Sequence, residues 1–233
     1  MKMSDAKEIR FFVEQEVLDA GVKIVFAVME GIDNRQIDPR WTEERQARIR
    51  DLTEKYRDLD VHEDAVLEGF NLLHDHTGVK RRKNIPASEN LIRLLKKNGD
   101  VFFINTAVDI YNIISMETKL ALGAHDIDRV DGNVTLRFTD GSERFQRIGQ
   151  PEPIPISPHE YSYCDDNNEV LCRLEIRQVE KTKVDEQSSN IFYIVQGNEA
   201  VSQEELLHCA DQIICQTSEH CGGTGYVVLP EVV

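Results

Sequence analysis

The hydrophobic pattern predicts one unusual helix in the middle of the chain. From Ile104 to Asp126, apolar side chains cover most of the circumference of a 3.6-residue repeat, so this helix is expected to be buried nearly all round. The polar residues within it are Asn105, Asp109 and Asn112, whose spacing places them on one face. An unpaired buried polar group costs about 1–3 kcal/mol. The stripe therefore predicts either an internal hydrogen-bond network, for which Asp109 is the strongest candidate, or a binding site.

Amphipathic patterns and capping signals predict four further helices. They run from Thr42 to Leu59, from Glu63 to His76, from Glu89 to Asn98 with Ser88 as the cap, and from the capping box of Ser202 and Glu205 to Gly222. In the first of these helices, Arg45 and Arg48 are expected to face solvent.

Runs rich in β-branched residues and alternating segments predict the strands. The expected strands are Val22–Met29, a hairpin of Val134–Phe138 with Glu143–Ile148, a hairpin of Tyr161–Cys164 with Val170–Leu174, and single strands at Ile191–Val195 and Tyr226–Leu229. No repeat and no long linker divides the chain. We expect one compact α+β domain with a mixed or antiparallel sheet packed against helices, in which residues 1–69 contribute the N-terminal strand and helices and residues 70–233 form the core.

The composition of the chain indicates its cellular compartment and limits the kinds of metal or cofactor site that we expect. The chain has 233 residues, of which 40% are hydrophobic, and an odd number of cysteines, five. We expect a cytoplasmic protein with no disulfide framework, because the N-terminus is too charged for a signal peptide and no apolar run could span a membrane. The histidines and cysteines after residue 207 lack metal-ligand spacing, and no nucleotide fingerprint occurs. We therefore predict no metal and no cofactor.

Positive charge is concentrated in one short segment. The formal net charge is −15, yet residues 80–97 carry seven basic side chains and one acidic side chain. We call these seven the basic island: Lys80, Arg81, Arg82, Lys83, Arg93, Lys96 and Lys97. The overall charge excludes a general nucleic-acid coat and argues against DNA as a partner. The island is either a solvated face or a contact that holds a polyanion in one orientation.

Three ordered segments of the sequence resemble a known domain. INTAVDIYNIISMETKLALGAHDIDRVDGNVTLRF is similar to the INPVVDVTNYVMLE…HAFD segment of the B3/B4 domain in the β subunit of bacterial phenylalanyl-tRNA synthetase. GVKRRKNIPASENLIRLL and VLCRLEIRQVEKTKVDEQSSNIFYIVQ extend the resemblance over roughly residues 70 to 223, and standalone B3/B4 proteins look more similar still. The resemblance implies an editing module that binds mischarged tRNA and hydrolyses the aminoacyl ester.

The resemblance also implies roles for individual residues. It points to Asn105, His125 and Glu180 as catalytic residues and to Asn112, Ser88, Thr182 and Lys183 as substrate-binding residues, with the basic island as the tRNA contact. Gly123 stands where the family has histidine, and His125 stands where it has phenylalanine. Because lone histidines are more often structural, a packing role for His125 stays open, as does a solvated strand-end position for Glu180.

We therefore expect a trans-acting aminoacyl-tRNA deacylase whose partner is the aminoacylated acceptor end of tRNA. The alternative is a non-catalytic tRNA-binding or RNA-binding module derived from the synthetase β subunit. At 233 residues, a complete tRNA ligase is excluded.

Overall fold

Two β-sheets and a layer of helices form the fold of residues 7–233, which are the residues that the computed structural model describes. Residues 1–6, at the charged N-terminus, lie outside this range. The helices are α1 (Gln15–Asp19), α2 (Pro39–Tyr56), α3 (Ala65–His76), α4 (Ala87–Asn98), α5 (Thr106–Thr118) and α6 (Gln203–Cys221). Short 3₁₀ turns occur at Arg81–Lys83 and Ile127–Arg129. Within residues 7–233, no helix combines the length and apolarity required to cross a membrane.

The strands are distributed over the whole described chain. They are β1 (Phe11–Val13), β2 (Lys23–Glu30), β3 (Ala121–Asp126), β4 (Val134–Phe138), β5 (Tyr161–Asp165), β6 (Val170–Arg173), β7 (Arg177–Gln178), β8 (Asn190–Gly197), β9 (Thr224–Val228) and β10 (Glu231–Val232). One sheet is antiparallel and has the order β3-β8-β2-β9. The other is mixed and has the order β10-β1-β4-β5-β6-β7. The predicted α+β class with helices packed on a mixed or antiparallel sheet is confirmed.

The antiparallel sheet is the middle layer of the molecule. Alternate residues of β2 point to opposite sides, so Val25, Ala27 and Met29 pack with the helices. Ile24, Phe26 and Val28 pack instead against the mixed sheet. This two-sided burial explains why β2 is a continuous apolar run and not an alternating one. Because β2 lies between β8 and β9, the predicted N-terminal segment supplies a central strand of this sheet.

The central helix is shorter than its hydrophobic pattern indicates. α5 ends at Thr118, and Lys119 adopts a left-handed conformation with φ of 64°. Residues 121–126 form β3, in which every residue is buried and pairs with β8. The prediction of helix through His125 is therefore wrong. A fully buried apolar strand has no alternation, so periodicity alone does not separate it from the end of a buried helix.

The predicted hairpin of residues 134–148 is also wrong. β4 forms, but its two edges are occupied by β1 in parallel and β5 in antiparallel register. Residues 143–148 have no free edge of β4 to join. They make only isolated bridges, in which Arg144 pairs with Glu169 and Arg147 with Val179. The hairpin of β5 with β6 and the capping box of α6 are confirmed.

Candidate functional site

The residues that the resemblance assigns to one site do not surround one cavity. Among the residues predicted for catalysis or substrate binding, Asn112 alone lines the open cleft of about 370 Å³ beside α5. The cleft is enclosed by α5, the start of α4, the loop before it, and β7 with its flanking residues. We call this cavity the α5 cleft.

The α5 cleft combines apolar walls with a polar interior. Its apolar lining consists of Ile85, Leu91, Ile104, Leu122, Ile148 and Ile176. Between them lie the side chains of Tyr111, Asn112, Gln178 and Glu175. Tyr111, Leu122 and Glu175 are buried and form the floor, whereas Ile104 and Ile148 are exposed at the rim. A concave apolar site with few polar groups is the usual form of a small-ligand site.

A larger groove of about 620 Å³ lies on another part of the surface, between α2 and residues 98–103. Its charged side chains are Arg45 and Asp100, which already pair with each other at 2.8 Å. Phe102 and Phe103 contribute most of its exposed apolar surface. Because the two charged side chains of this groove already pair with each other, we assign the candidate site to the α5 cleft.

The three polar residues of the α5 stripe have two different roles. Asn105 and Asp109 form internal hydrogen bonds, whereas Asn112 lines the cleft. Asn105 caps the helix, since its Oδ1 accepts from the backbone N–H of Val108 and its Nδ2 donates to the carbonyl oxygen of Val184. Both ends of the Asn105 amide are therefore occupied away from the cleft. The structure places Asn105 as a buried N-cap, and the catalytic role that the resemblance implies for it stays a prediction.

Asp109 is the centre of an internal network. Its carboxylate accepts from the indole N–H of Trp41 at 3.0 Å and from Nε of Arg45 at 2.9 Å. Burial raises the pKa of Asp109, and the positive charge of Arg45 acts against that shift. Arg45 consequently points inward, contrary to the expectation that it faces solvent. Asp109 thus has the scaffold role considered for it, and its buried charge is paired.

His125 lies in the buried middle of β3. Its Nδ1 is 2.8 Å from Oγ1 of Thr182, and its Nε2 has no hydrogen-bond partner among residues 7–233. Burial lowers the pKa of His125 to about 3. Its ring stacks on Phe192 with a centroid distance of 5.2 Å. Both His125 and Thr182 are fully buried and neither lines the α5 cleft, so the site roles that the resemblance implies for them stay predictions.

Glu180 and Lys183 lie outside the α5 cleft and pair with each other. Glu180 also accepts from the backbone N–H of Gly149 at 2.9 Å. The hydrogen bond from Lys183 and that from Gly149 lower the pKa of Glu180. Ser88 is buried inside α4, where Pro86 and not Ser88 occupies the capping position. None of these three residues lines the cleft, and the roles that the resemblance implies for them stay predictions.

The basic island is divided by local ion pairs. Arg81 pairs with Glu68 and Asp75, and Arg93 pairs with Glu89. Lys96 and Lys97 line a shallow groove together with Arg93, Asp58 and Asp60. Lys83 lines the α5 cleft, while Lys80 and Arg82 are exposed on the preceding loop. The island therefore faces two separate surfaces.

Sequence patterns missed most of the polar and charged residues of the cleft. Glu175, Arg177 and Gln178 come from a segment with no regular pattern, Arg147 comes from the segment 143–148 that was predicted as a strand, and Tyr111 lies in the predicted central helix. The weak signal that existed was the charged sequence around residues 173–178, in which Arg and Glu interrupt an apolar run. Burial raises the pKa of Tyr111 to about 12, so its hydroxyl remains protonated at neutral pH.

Glu175 connects the cleft floor to a buried network. Its Oε1 lies 2.8 Å from Nε2 of His74, and its Oε2 accepts from the hydroxyl of Tyr161. Nδ1 of His74 is 3.0 Å from the carbonyl oxygen of Asn84, which can only accept. Burial lowers the pKa of His74, but the charge and hydrogen bond of Glu175 and the bond to Asn84 outweigh it, so the pKa is raised. Both ring nitrogens of His74 therefore face acceptor oxygens, an arrangement that favours the protonated ring beside Glu175.

One acidic cluster has the spacing of a cation site. Asp131, Asp165 and Glu169 have carboxylate oxygens within 4.8 Å of one another, the only such group found within residues 7–233. The ammonium of Lys181 already pairs with all three, at 2.7, 3.2 and 2.9 Å. The protein itself therefore already supplies one cation to this cluster.

Comparisons with known proteins define first the class and then the family. An N-terminal fragment of the phenylalanyl-tRNA synthetase β subunit from Pyrococcus horikoshii matches the fold with a TM-score of 0.52, covering 97% of this chain and 52% of the fragment. At 14% identity, this likeness establishes the fold alone. Residues 76–212 match the family model of the B3/4 domain. This is more than half of the chain, which therefore belongs to the B3/4 domain family.

A curated relative is similar over a similar length. The β subunit of phenylalanine–tRNA ligase from Mycoplasma genitalium is 25% identical over 139 residues, which is 60% of this chain and 16% of that protein. The chain thus corresponds to a small part of a much longer subunit.

Proposed function

We propose that this protein binds the aminoacylated acceptor end of a tRNA in the α5 cleft and hydrolyses mischarged aminoacyl esters in trans, in the cytoplasm. The observation that carries the proposal is the composition of the cleft. Within a chain of net charge −15, apolar walls, three side-chain amides (Asn90, Asn112 and Gln178) and three cations line one cavity of about 370 Å³. An aminoacyl ester at the end of an RNA offers the matching groups, namely an apolar side chain, a carbonyl and a polyanionic backbone.

The cleft supports hydrolysis through orientation and not through a general base. Its only lining carboxylate, Glu175, already accepts from His74 and Tyr161. Asn112 and Gln178 supply amides, and Tyr111 supplies a protonated hydroxyl. We expect these groups to donate to the ester carbonyl and to hold a water above it.

The reaction is a simple ester hydrolysis. The water oxygen bonds to the carbonyl carbon, the bond between that carbon and the ribose oxygen breaks, and the ribose oxygen takes a proton. The products are a free amino acid and an uncharged tRNA. Since an aminoacyl ester is already activated, modest stabilisation of the oxyanion is sufficient for useful acceleration.

The rival proposal is a tRNA-binding module without catalysis. The observation that favours it is the absence of a histidine at the cleft, because residue 123 is glycine and His125 is sealed in the sheet. In that case Asn112 and Gln178 would bind the acceptor end of the tRNA without hydrolysis of the aminoacyl ester.

A panel of tRNAs charged with non-cognate amino acids tests both proposals. We expect the purified protein to release at least one amino acid faster than buffer, and Asn112→Ala and Gln178→Ala to slow that release by about 10-fold or more. Asn133→Ala is the matched control, since this amide lies outside the cleft. Tight tRNA binding without release of any amino acid would end the hydrolase proposal, and loss of binding as well would end both.

A second measurement examines selectivity. The resemblance points to Glu180 as a site residue, with a role that would include discrimination between amino acids, but Gln178 is the residue whose side chain lines the cleft. We therefore expect Gln178→Glu to change which amino acids are released, and Glu180→Ala to leave the ranking unchanged. A changed ranking in Glu180→Ala alone would return the selectivity role to that residue.

A further inference from the structure

Three cationic side chains from separate segments converge on the α5 cleft. Lys83 comes from the loop before α4, Arg147 from the irregular segment after β4, and Arg177 from β7. Only Lys83 belongs to the basic island, so no clustering in the sequence marks this group. The fold alone brings the three charges together.

None of the three pairs with a carboxylate of residues 7–233, which separates them from most of the neighbouring arginines. Arg81, Arg93, Arg137 and Arg173 each form an ion pair with an acidic side chain. Lys83, Arg147 and Arg177 form none with any described carboxylate. The chain has 42 acidic residues. Because carboxylates are so numerous, its composition does not explain three unpaired cations in one cavity.

The acidic residue of the cleft does not cancel this charge. Glu175 is already engaged, because Nε2 of His74 lies 2.8 Å from one of its oxygens and Tyr161 donates to the other. Burial and the charges of Arg147 and Arg173 lower the pKa of Arg177, which marks positive charge that the protein leaves uncompensated. Such an arrangement has an electrostatic cost unless an anion occupies it.

We propose that Arg147, Arg177 and Lys83 form a phosphate subsite that holds a backbone phosphate of the bound nucleic acid beside the amide groups of the cleft. This deepens the proposed function and rests on it for the identity of the ligand as an RNA end. Guanidinium groups bind phosphate in a bidentate manner, and Lys83 adds a mobile point charge at the exposed rim. The apolar lining at Ile104 and Ile148 borders the subsite and leaves room for a nucleoside.

The subsite would fix the distance between a phosphate and the reacting ester. A nucleotide anchored by its phosphate presents its ribose to Asn112 and Gln178, which lie in the same cavity. Phosphate contacts set register without reading sequence. The three cations are thus positioning residues, and the amides remain the groups that touch the ester.

The test compares ligands with and without phosphate groups. Binding of adenosine, adenosine 5′-monophosphate and the ribotrinucleotide CCA is measured by calorimetry with the full chain. The variants are Arg147→Gln, Arg177→Gln and Lys83→Gln. Arg50→Gln is the matched control, because Arg50 is an exposed arginine of α2 outside the cleft. Far-ultraviolet circular dichroism verifies that each variant is folded, and Lys83→Gln, on an exposed loop, serves if an arginine variant is not.

We expect the monophosphate to bind at least 10-fold more tightly than adenosine, and each cleft variant to remove most of that difference while Arg50→Gln keeps it. For uncharged tRNA, each arginine substitution should reduce the slope of log affinity against log salt by about 0.7. Equal binding of adenosine and its monophosphate, or equal losses in Arg50→Gln, would overturn the subsite. Loss of monophosphate binding with unchanged tRNA affinity would overturn its assignment to RNA.

The outcomes also separate this inference from the proposed function. A protein that keeps a phosphate-dependent affinity but releases no amino acid has the subsite without the hydrolase activity. A protein that releases amino acids equally well in all three variants is a hydrolase in which the subsite has no role.

Discussion

The side-chain amide of Gln178 occupies the space that any side chain at position 123 would enter. A Cβ added to Gly123 would lie 2.6 Å from Nε2 of Gln178, closer than such atoms approach in folded proteins. Gly123 is in β3 and Gln178 is in β7, so the contact joins the edges of the two sheets. The resemblance places a histidine at position 123. In this chain the amide of Gln178 lines the cleft at that place, and a side chain at position 123 would require this amide to move.

The close approach of Gln178 to position 123 predicts energetic coupling between the two positions. Replacing a strand glycine by alanine usually stabilises by about 0.5–1 kcal/mol. We expect Gly123→Ala to give no such gain when Gln178 is present, and to give it when Gln178 is already alanine. Urea unfolding of the four proteins of the cycle should show a coupling of at least about 0.5 kcal/mol. Simple additivity would contradict the contact.

The lowered pKa of the buried His125 predicts that the folded protein loses stability in mild acid. Its pKa is lowered by burial to about 3, whereas an unfolded histidine titrates near 6.5. Between these values the unfolded chain binds the proton and the folded chain does not. Stability is therefore complete above about pH 6.5 and falls as pH decreases, by about 2 kcal/mol from pH 7 to pH 5 for this group.

We expect His125→Phe to remove this part of the pH dependence, and His62→Phe, at an exposed position, to retain it. Urea unfolding at pH 7 and pH 5 gives the comparison. The same slope in wild type and His125→Phe would exclude a neutral, buried His125. Since His125 does not line the cleft, the substitution should also leave any deacylation rate within about twofold of wild type.

The raised pKa of His74 predicts the opposite dependence of stability on pH. Burial lowers its pKa, but Glu175 and the carbonyl of Asn84 raise it above the ordinary value. Its stabilising contribution is fully present below about pH 6.5 and is lost as pH rises through the pKa of the folded state. Proton NMR of the ring should find a pKa above 6.5 in wild type and below 6.5 in Glu175→Gln, where burial is no longer opposed by the charge. An unchanged value in the variant would show that the pair does not hold the proton.

The buried charge of Asp109 predicts a large cost of substitution. Asp109→Ala leaves the mostly buried Arg45 without its inner partner, and removing one partner of a buried pair typically costs about 3–5 kcal/mol. The control is Glu231→Ala, which breaks an ion pair with Arg10 in which both side chains are more than half exposed. That change should cost less than about 1 kcal/mol in the same urea unfolding experiment. Equal effects would contradict the scaffold role of Asp109.

The two halves of the basic island predict different effects on tRNA binding. Lys80 and Arg82 are exposed on the loop that leads to the cleft, whereas Lys96 and Lys97 share their groove with Asp58 and Asp60. We expect Lys80→Gln with Arg82→Gln to reduce the salt slope of tRNA affinity by about 1.5, equally for all tRNAs. Lys96→Gln with Lys97→Gln should have a smaller effect. The reverse order would place the RNA on the other groove.

Sequence patterns gave correct predictions where the physical cause of a structural feature lies within one short segment. The capping box at Ser202 and Glu205 begins α6, and both of its reciprocal hydrogen bonds are present. β2 was recognisable because burial on both faces requires a continuous apolar run. Asp109 was recognisable as a scaffold residue because a carboxylate in an apolar helix needs a partner, although its partners Trp41 and Arg45 could not be named from the sequence.

Predictions failed where a distant segment decided the outcome. Residues 121–126 are a strand because β8 offers them an edge, and residues 143–148 are not a strand because β1 and β5 leave none on β4. His125 was separated from the cleft by the same pairing. Asn105 matched the motif of a site, but its amide is used to cap α5 and to bind the carbonyl of Val184.

The sequence by itself determined the α+β class, the family and a polar stripe that could not be buried without partners. These depend on periodicity, caps and ordered motifs, which act over a few residues. Only the tertiary structure decided that Asn112 alone of that stripe meets the cleft, and that Lys83, Arg147 and Arg177 meet it from three segments. Charges far apart in the chain share a cavity only after the sheets have paired, because strand pairing, and not local sequence, sets their distance.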